Sequence, residues 1–78
     1  MINNDEIIYE FEKNSSEQVR ARFTIFKDII YVDLRVFWDD KGQLKPSKKG
    51  LTLSPNLLPE LKKAVSLLES EAIKLKLI

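Results

Sequence analysis

Residues 19–53 read VRARFTIFKDIIYVDLRVFWDDKGQLKPSKKGLTL and contain most of the pattern that decides the fold. Apolar and polar residues alternate over 19–26 and again over 29–37, which is the period of a half-buried β-strand. Only residues 27–28 separate the two runs, enough for a tight hairpin turn, although the glycine that such turns prefer is missing. The stretch therefore predicts an antiparallel hairpin with one apolar face and one charged face.

A preceding strand extends this hairpin. Residues 6–13 alternate in the same way, and a polar Asn-Ser-Ser turn joins them to the next strand. In the predicted register Glu10 lies opposite Arg22 and Glu12 lies opposite Arg20, so that opposite charges pair on the polar face. These pairs indicate that the first two strands are neighbours.

The fourth strand is irregular. The sequence Asp-Asp-Lys-Gly at 39–42 is typical of a type I turn, and the strand begins at Leu44. Leu44 has an even number whereas Leu51 and Leu53 have odd numbers, so a one-residue bulge must separate them if all three face the core. The proline and the glycine of this stretch are the expected places for that bulge.

A long amphipathic helix is predicted over residues 54–78. Ser54 suits the N-cap and Pro55 the first helical position, while Pro59 either removes one hydrogen bond or moves the helix start downstream. The apolar stripe consists of Leu58, Leu61, Val65, Leu68, Ala72 and Leu75. Further apolar residues beside this stripe favour a helix-mediated dimer interface over the wrapping of a small core.

These elements predict an α+β fold, in which a four-stranded curved antiparallel sheet is followed by one long C-terminal helix. The chain of 78 residues forms a single domain, with a flexible terminus at 1–5, the sheet at 6–53 and the helix at 54–78. A domain of this size buries only about 60–65% of its unfolded surface. Small size therefore also favours a homodimer.

Composition excludes several function classes. The chain contains no cysteine and no histidine, so a disulfide framework, a thiolate metal site and the commonest acid/base group are all missing. We therefore expect neither an enzyme nor a cofactor or metal. No signal peptide and no apolar run of about 18 residues is present. The expected protein is soluble and intracellular, and composition leaves its compartment unspecified.

The net charge of +1 hides an uneven distribution. Residues 1–17 carry five acids and one base (−4), residues 18–53 carry eight bases and four acids (+4), and residues 54–78 carry +1. Because the local field steers a polyanion, the near-neutral total does not argue against one. The basic segment is the predicted sheet.

The arginines of the polar face have different predicted roles. Arg22 lies between Glu10 and Asp33, so a cross-strand salt bridge is favoured over ligand binding for this residue. Arg20 and Arg35, in contrast, lie opposite each other, and like charges in that position destabilise a sheet. An anionic ligand explains this pair better than two solvated arginines do.

Aromatic and basic residues cluster around the same face. Phe26 points outward at a turn, whereas strict alternation makes Trp38 an inward core cap, a role that competes evenly with exposed stacking. Lys45, Lys48 and Lys49 form either a ligand contact or a solvated loop. Exposed aromatics interleaved with cations are typical of surfaces that stack bases and follow phosphates.

At these positions the sequence resembles the transcriptional coactivators of the positive cofactor four type, and within that family the bacterial and phage members. The resemblance runs from about Phe23 to Leu75 and is carried by Phe-Lys at 26–27, YVDLRVFW at 31–38 and LKPSKKGLTLSP at 44–55. It implies a homodimer that binds single-stranded or melted DNA along its sheets with little sequence preference.

The resemblance also implies DNA contacts by position. They are Phe26, Lys27, Arg35, Trp38, Lys45, Lys48 and Lys49, to which the pairing argument adds Arg20. The chain departs from the family pattern at Asp28 and Ile29, where glycine and a basic residue are usual, and at Ser47, where glycine is usual.

The expected function is therefore that of a dimeric single-stranded DNA-binding protein of the coactivator type. It would serve transcription, with replication, recombination and repair as open alternatives, and its partners would include the transcription or replication machinery. An adaptor whose basic sheet binds an acidic protein is the alternative from another class, since such an adaptor needs lysines but no stacking aromatics. Single-stranded RNA is a third candidate ligand.

Overall fold

The fold is a four-stranded antiparallel meander followed by one helix, seen in a computed structural model that describes residues 2–78. The elements are β1 (Glu6–Asn14), β2 (Glu17–Phe26), β3 (Ile29–Asp40), β4 (Gln43–Leu53), a 3₁₀ turn (Pro55–Leu57) and α1 (Leu58–Lys74). Strand order in the sheet is β1-β2-β3-β4. The predicted α+β architecture of a curved sheet and a C-terminal helix is confirmed.

The central hairpin has the predicted register. Phe26 pairs with Ile29, and the ladder continues without a break to the pair of Glu17 and Trp38. The turn residues Lys27 and Asp28 have φ angles of 51° and 64°. Both φ values are positive, as in the type I′ turn that matches the twist of the strands, so the turn forms here without glycine.

The predicted β1–β2 register is wrong by two residues. Glu10 pairs with Arg20 rather than with Arg22. The cause is the turn: Asn14 pairs with Glu17 across only two residues, and its Oδ1 accepts a hydrogen bond from the Ser16 amide at 3.0 Å. An extra residue just before this turn then shifts the pairing further.

The turn into β4 is also tighter than predicted. Asp40 pairs with Gln43, so the turn contains only Lys41 and Gly42, with φ angles of 56° and 87°. Two positive φ values are typical of type I′ and exclude the predicted type I turn. The Asp39 carboxylate accepts a hydrogen bond of 2.7 Å from the Gly42 amide and so stabilises the turn.

A bulge interrupts β4 in the predicted region. The pairs on either side of it are Arg35 with Gly50 and Phe37 with Pro46, so β4 contains two more residues than β3 between them. Two extra residues, unlike the predicted single one, leave the alternation of faces unchanged. Leu44 therefore lies on the polar face and not with the other two leucines of β4.

The helix begins later than predicted. A 3₁₀ turn occupies Pro55–Leu57, and α1 starts at Leu58, which places Pro59 in its first turn. Proline is tolerated there because the first amides of a helix have no intrahelical acceptor. Of the two predicted effects of Pro59, the structure therefore confirms the downstream shift of the helix start.

The helix also ends earlier than residue 78. The Leu77 amide donates to the Ala72 carbonyl at 2.8 Å, and the Lys76 amide donates to the Ile73 carbonyl at 3.1 Å. With Lys76 at a φ of 60°, these bonds form a Schellman motif that terminates α1 at Lys74.

Burial is slight for a folded chain. Among residues 2–78 the only buried hydrophobic side chains are Val32 and Phe37, which lie on opposite faces of β3. An open apolar pocket of about 180 Å³ lies between the Val32 side of the sheet and Leu58 and Leu61 at the start of α1. The rest of α1 leaves its apolar stripe exposed, including Leu68.

The segment before β1 contacts the sheet. Asn4 Oδ1 accepts a hydrogen bond of 2.8 Å from the Ile25 amide, and the Asp5 carboxylate lies 3.2 Å from the Arg22 guanidinium. Of the terminus that we expect to be flexible, Met1 lies outside the described residues. Within those residues no helix has both the length and the apolarity needed to span a bilayer.

Candidate nucleic-acid interface

One face of the sheet, here called the polar face, is not covered by α1. It carries the side chains of Arg20, Arg22, Asp33, Arg35 and Phe37, which alternate with the apolar residues that face the helix. Arg22 pairs with Asp33 and Arg20 pairs with Arg35, as predicted. These five side chains bring together three cations, one acid and one aromatic ring.

Asp33 is the centre of the polar face. Its side chain is 2% exposed and accepts hydrogen bonds from Arg22 Nε at 2.8 Å, Arg35 Nη2 at 2.8 Å and Thr52 Oγ1 at 2.9 Å. Burial alone would raise the pKa of Asp33, but these three donors together lower the pKa below its usual value. Asp33 is therefore a carboxylate that both neighbouring strands hold in place.

Arg35 is not the free cation that the sequence suggests. Besides its bonds to Asp33, it donates from Nη1 to the Ser47 carbonyl at 3.0 Å and from Nη2 to Thr52 Oγ1 at 3.2 Å. The expected repulsion between Arg20 and Arg35 is therefore largely relieved by Asp33, and an anionic ligand is not needed to explain the pair. The remaining exposure of the Arg35 side chain is 19%.

Two arginines cover an aromatic ring. The guanidinium carbons of Arg20 and Arg22 lie 4.6 and 5.0 Å from the centroid of Phe37, which is 5% exposed. This is cation–π packing. Arg20 also donates from Nε to Glu10 at 2.9 Å, a carboxylate that is about half exposed. Arg20 thus keeps donors that can turn towards a ligand.

The bulge of β4 presents two lysines. Its backbone is fixed by Ser47, whose Oγ donates to the Val36 carbonyl at 2.7 Å and accepts from the Lys49 amide at 3.1 Å. Lys48 and Lys49 are exposed, and within residues 2–78 neither has a carboxylate within 4.0 Å. These two side chains are free to bind an anion.

A second exposed aromatic–cation unit lies at the β2–β3 turn. Phe26 is 62% exposed, and Lys27 Nζ lies 5.3 Å from its ring centroid. Ile29, which pairs with Phe26, is seven residues from Val36, the β3 residue beside the bulge. At about 3.3 Å per residue this separates the two units by roughly 23 Å along β3.

Trp38 and Lys45 are not on the polar face. They pair with each other across β3 and β4, and alternation directs both to the helix side of the sheet. Lys45 forms an ion pair of 2.6 Å with Asp40, and Trp38 is 41% exposed, too open for a core cap within one chain. Both residues lie near the end of the sheet, away from Phe26.

The roles of three residues of this site were not predicted from the sequence. Asp33 accepts hydrogen bonds from two arginines, Phe37 is a buried ring, and Ser47 fixes the backbone of the bulge. A usable signal existed for Asp33, because residues two apart on a strand share a face and Arg35 follows it at that spacing. No comparable signal reveals the Ser47 contacts, since they depend on the length of the bulge.

Comparison with known proteins gives consistent results. The sequence model of the family described as Transcriptional Coactivator p15 (PC4) matches residues 13–64. Two crystal forms of a PC4 homologue from Burkholderia pseudomallei K96243 have similar structures. The orthorhombic form has a TM-score of 0.80 and 21% sequence identity, over 88% of this chain and 95% of the other. The tetragonal form has a TM-score of 0.79 and 22% sequence identity, over 85% of this chain and 98% of the other.

A bacteriophage T5 homologue of the eukaryotic coactivator PC4, implicated in recombination-dependent DNA replication, has a TM-score of 0.64 and 24% identity over 91% of this chain and 83% of that one. At these identities the structures support the fold alone. The family model, in contrast, spans three strands completely (β2, β3 and β4), together with the lysine-bearing bulge and the start of the helix. The chain therefore belongs to the PC4 family of transcriptional coactivators.

Proposed function

We propose that this protein is a dimeric single-stranded DNA-binding protein that holds an extended strand along β3 and the β4 bulge. The observation that carries the proposal is the pair of exposed cationic units: Phe26 with Lys27 at one end, and Lys48 with Lys49 at the other. Flexible single strands expose both phosphates and base faces, and this surface offers cations and an aromatic ring to them.

The proposed contacts differ in kind. Phe26 stacks on bases, while Lys27, Lys48 and Lys49 contact phosphates. For Trp38 and Lys45, which lie on the helix side of the sheet, the family resemblance is the ground for proposing a stacking and a phosphate contact, respectively. Arg20 adds a phosphate contact with the donors that Glu10 leaves free. Arg35 contributes mainly through its hold on the bulge, because four acceptor atoms already surround it.

A dimer is part of this proposal. A compact monomer of 9.1 kDa exposes about 4,900 Å². This chain exposes 6420 Å², roughly 1,500 Å² more. Two copies that each buried this excess would form an interface of roughly 3,000 Å², within the range of obligate homodimers. The exposed apolar stripe of α1 is the surface suited to that contact.

The coactivator family supports a role in transcription. The phage T5 homologue is implicated in recombination-dependent DNA replication, and we propose the same single-stranded ligand for a role of that kind. We propose single-stranded DNA as the ligand common to these processes. Genetic experiments can identify the process in which this protein acts.

Titration of the protein with a 20-nucleotide single strand and with a duplex of equal length tests the function. We expect the single strand to bind more tightly and its affinity to fall steeply with salt, by about 0.7 log units per log unit of salt for each neutralised phosphate. A duplex preference or a flat salt response contradicts the proposal. An RNA strand of the same sequence, and an acidic peptide, are competitors that separate the two alternative ligands.

Trp38 provides a local test. If it stacks on a base, Trp38→Ala weakens single-strand binding by about 1–3 kcal/mol and leaves the melting temperature nearly unchanged, because the side chain is exposed. Tyr9→Ala, at an exposed side chain of β1 outside the proposed path along β3 and the bulge, is a matched aromatic control for which we expect a smaller loss of affinity. Unchanged affinity with a lower melting temperature would assign Trp38 to packing instead.

A further inference from the structure

A continuous chain of hydrogen bonds leads from the buried Asp33 to the backbone of the β4 bulge. Asp33 binds the Arg35 guanidinium through both carboxylate oxygens, and Arg35 Nη1 donates to the Ser47 carbonyl. Ser47 Oγ in turn accepts from the Lys49 amide and donates to Val36 of β3. The bulge is therefore held from both of its sides.

Gly50 makes this arrangement possible. A Cβ at that position would lie 2.6 Å from the Leu34 carbonyl and 3.0 Å from Arg35 Cζ. The guanidinium thus lies directly over the glycine, which lets it span from Asp33 to Ser47. A larger residue would displace Arg35 from the bulge.

Fixing the bulge matters for two exposed lysines. The two extra residues of the bulge have no partners in the β3–β4 register, so the ladder restricts them less than it restricts paired residues. When side chains and loops become ordered only on binding, the conformational entropy that they lose lowers the affinity. Ordering in the free protein removes that cost from the binding step. The bonds through Arg35 and Ser47 supply such ordering in the free protein.

The sign of the Asp33 charge makes its role testable. A carboxylate on a surface that binds a polyanion is unfavourable by charge alone, so a purely electrostatic account predicts tighter binding when it is neutralised. An account in which Asp33 positions Arg35 predicts weaker binding. The two accounts therefore differ in direction.

We infer that Asp33 and Ser47 are positioning residues for nucleic-acid binding, which act through Arg35 and the bulge backbone to preset Lys48 and Lys49. Neither residue touches the ligand. The inference rests on the proposed function, because it needs a strand bound at the two lysines.

The test measures single-stranded oligothymidine binding by Asp33→Asn and by Ser47→Ala. Ser47→Ala changes no charge and removes only the two Oγ bonds. We expect both variants to bind about 3- to 10-fold more weakly, with a shallower salt dependence, as the ordering cost of one or two side chains returns. In Ser47→Ala the Lys49 amide, which loses its acceptor, should also exchange its hydrogen faster in the absence of DNA.

Asp28→Asn is the matched charge control. It removes one carboxylate beside Phe26 and Lys27, tolerates the positive φ of 64°, and should bind equally well or more tightly. If the wild-type protein binds single strands while Asp33→Asn binds as tightly as Asp28→Asn, the positioning role is overturned. If Asp33→Asn does not fold, the test depends on Ser47→Ala alone. In that case, a Ser47→Ala variant with wild-type affinity and wild-type salt dependence overturns the positioning role. Failure of the wild type to bind overturns the proposed function instead.

Discussion

At the scale of single residues, Asp33 should make the stability of the protein depend on acid. Its folded-state pKa is lowered, so ionised Asp33 stabilises the fold above the usual pKa of about 3.9, and this contribution is lost as the pH falls through the folded-state value. We expect the difference in unfolding free energy between wild type and Asp33→Asn to be largest at neutral pH and to shrink below about pH 4. Urea denaturation at several pH values measures it.

A matched control for this titration is Asp40→Asn, whose carboxylate forms one ion pair with the exposed Lys45. Exposed pairs contribute about 0–1 kcal/mol, so its pH dependence should be close to that of the wild type. A constant difference between wild type and Asp33→Asn from about pH 7 to about pH 2.5 would show that ionised Asp33 does not stabilise the fold.

Two arginines of the polar face differ in how well the sequence predicts their contacts. The pair of Arg22 and Asp33 was predictable, because a two-residue turn fixes the register of the central hairpin. The role of Arg35 was not, because the predicted repulsion considered only the residue directly opposite, Arg20. The neighbour two positions away on the same strand, Asp33, lies on the same face and decides the charge balance.

At the scale of elements, the β4 bulge depends on Gly50. Gly50→Ala places a methyl group against the Leu34 carbonyl, a backbone atom that cannot move without breaking the ladder. We expect a loss of about 1–3 kcal/mol in unfolding free energy, as for other overpacked sites. Chemical denaturation of the purified variant gives this value.

Gly42→Asn is the control for that substitution. Unlike Gly50, Gly42 has a left-handed conformation, with a φ of 87°, but a Cβ added to it would have no atom within 4 Å, and asparagine tolerates this region. Its loss should be clearly smaller than that of Gly50→Ala. Equal losses would show that the close approach of Leu34 and Arg35 is not what requires glycine at position 50.

The elements themselves were predictable from alternation and from apolar spacing, whereas their exact pairing was not. The β1–β2 register shifted because a side chain, Asn14, stabilises a shorter turn. The helix ends shifted because Pro59 suits only a first turn and Lys76 adopts a left-handed conformation. Each error arose from a local backbone choice that hydrophobic periodicity does not encode.

At the scale of the whole molecule, the chain is too open to be a compact monomer. Its radius of gyration is 14.4 Å, compared with about 11.5 Å for a compact chain of this length. We expect one dimeric species in sedimentation at micromolar concentration. Leu68→Glu, a change at a side chain that is 70% exposed in one chain, should dissociate the dimer and lower its melting temperature.

Ser70→Glu introduces the same charge on the same helix but about 160° away from the apolar stripe, at about 100° per residue. It should leave the dimer intact. A monomeric wild type with full stability, or a Leu68→Glu variant that remains dimeric, would show that α1 does not form the interface.

The salt dependence of single-strand binding by Lys48→Ala/Lys49→Ala shows whether the β4 bulge binds phosphates. If the β4 bulge binds two phosphates per site, the plot of log affinity against log salt should become shallower by about 1.4 units than that of the wild type. Lys62→Ala/Lys63→Ala, which removes two lysines from α1, should retain the wild-type slope. An unchanged slope and affinity for the bulge variant would contradict the proposed binding surface.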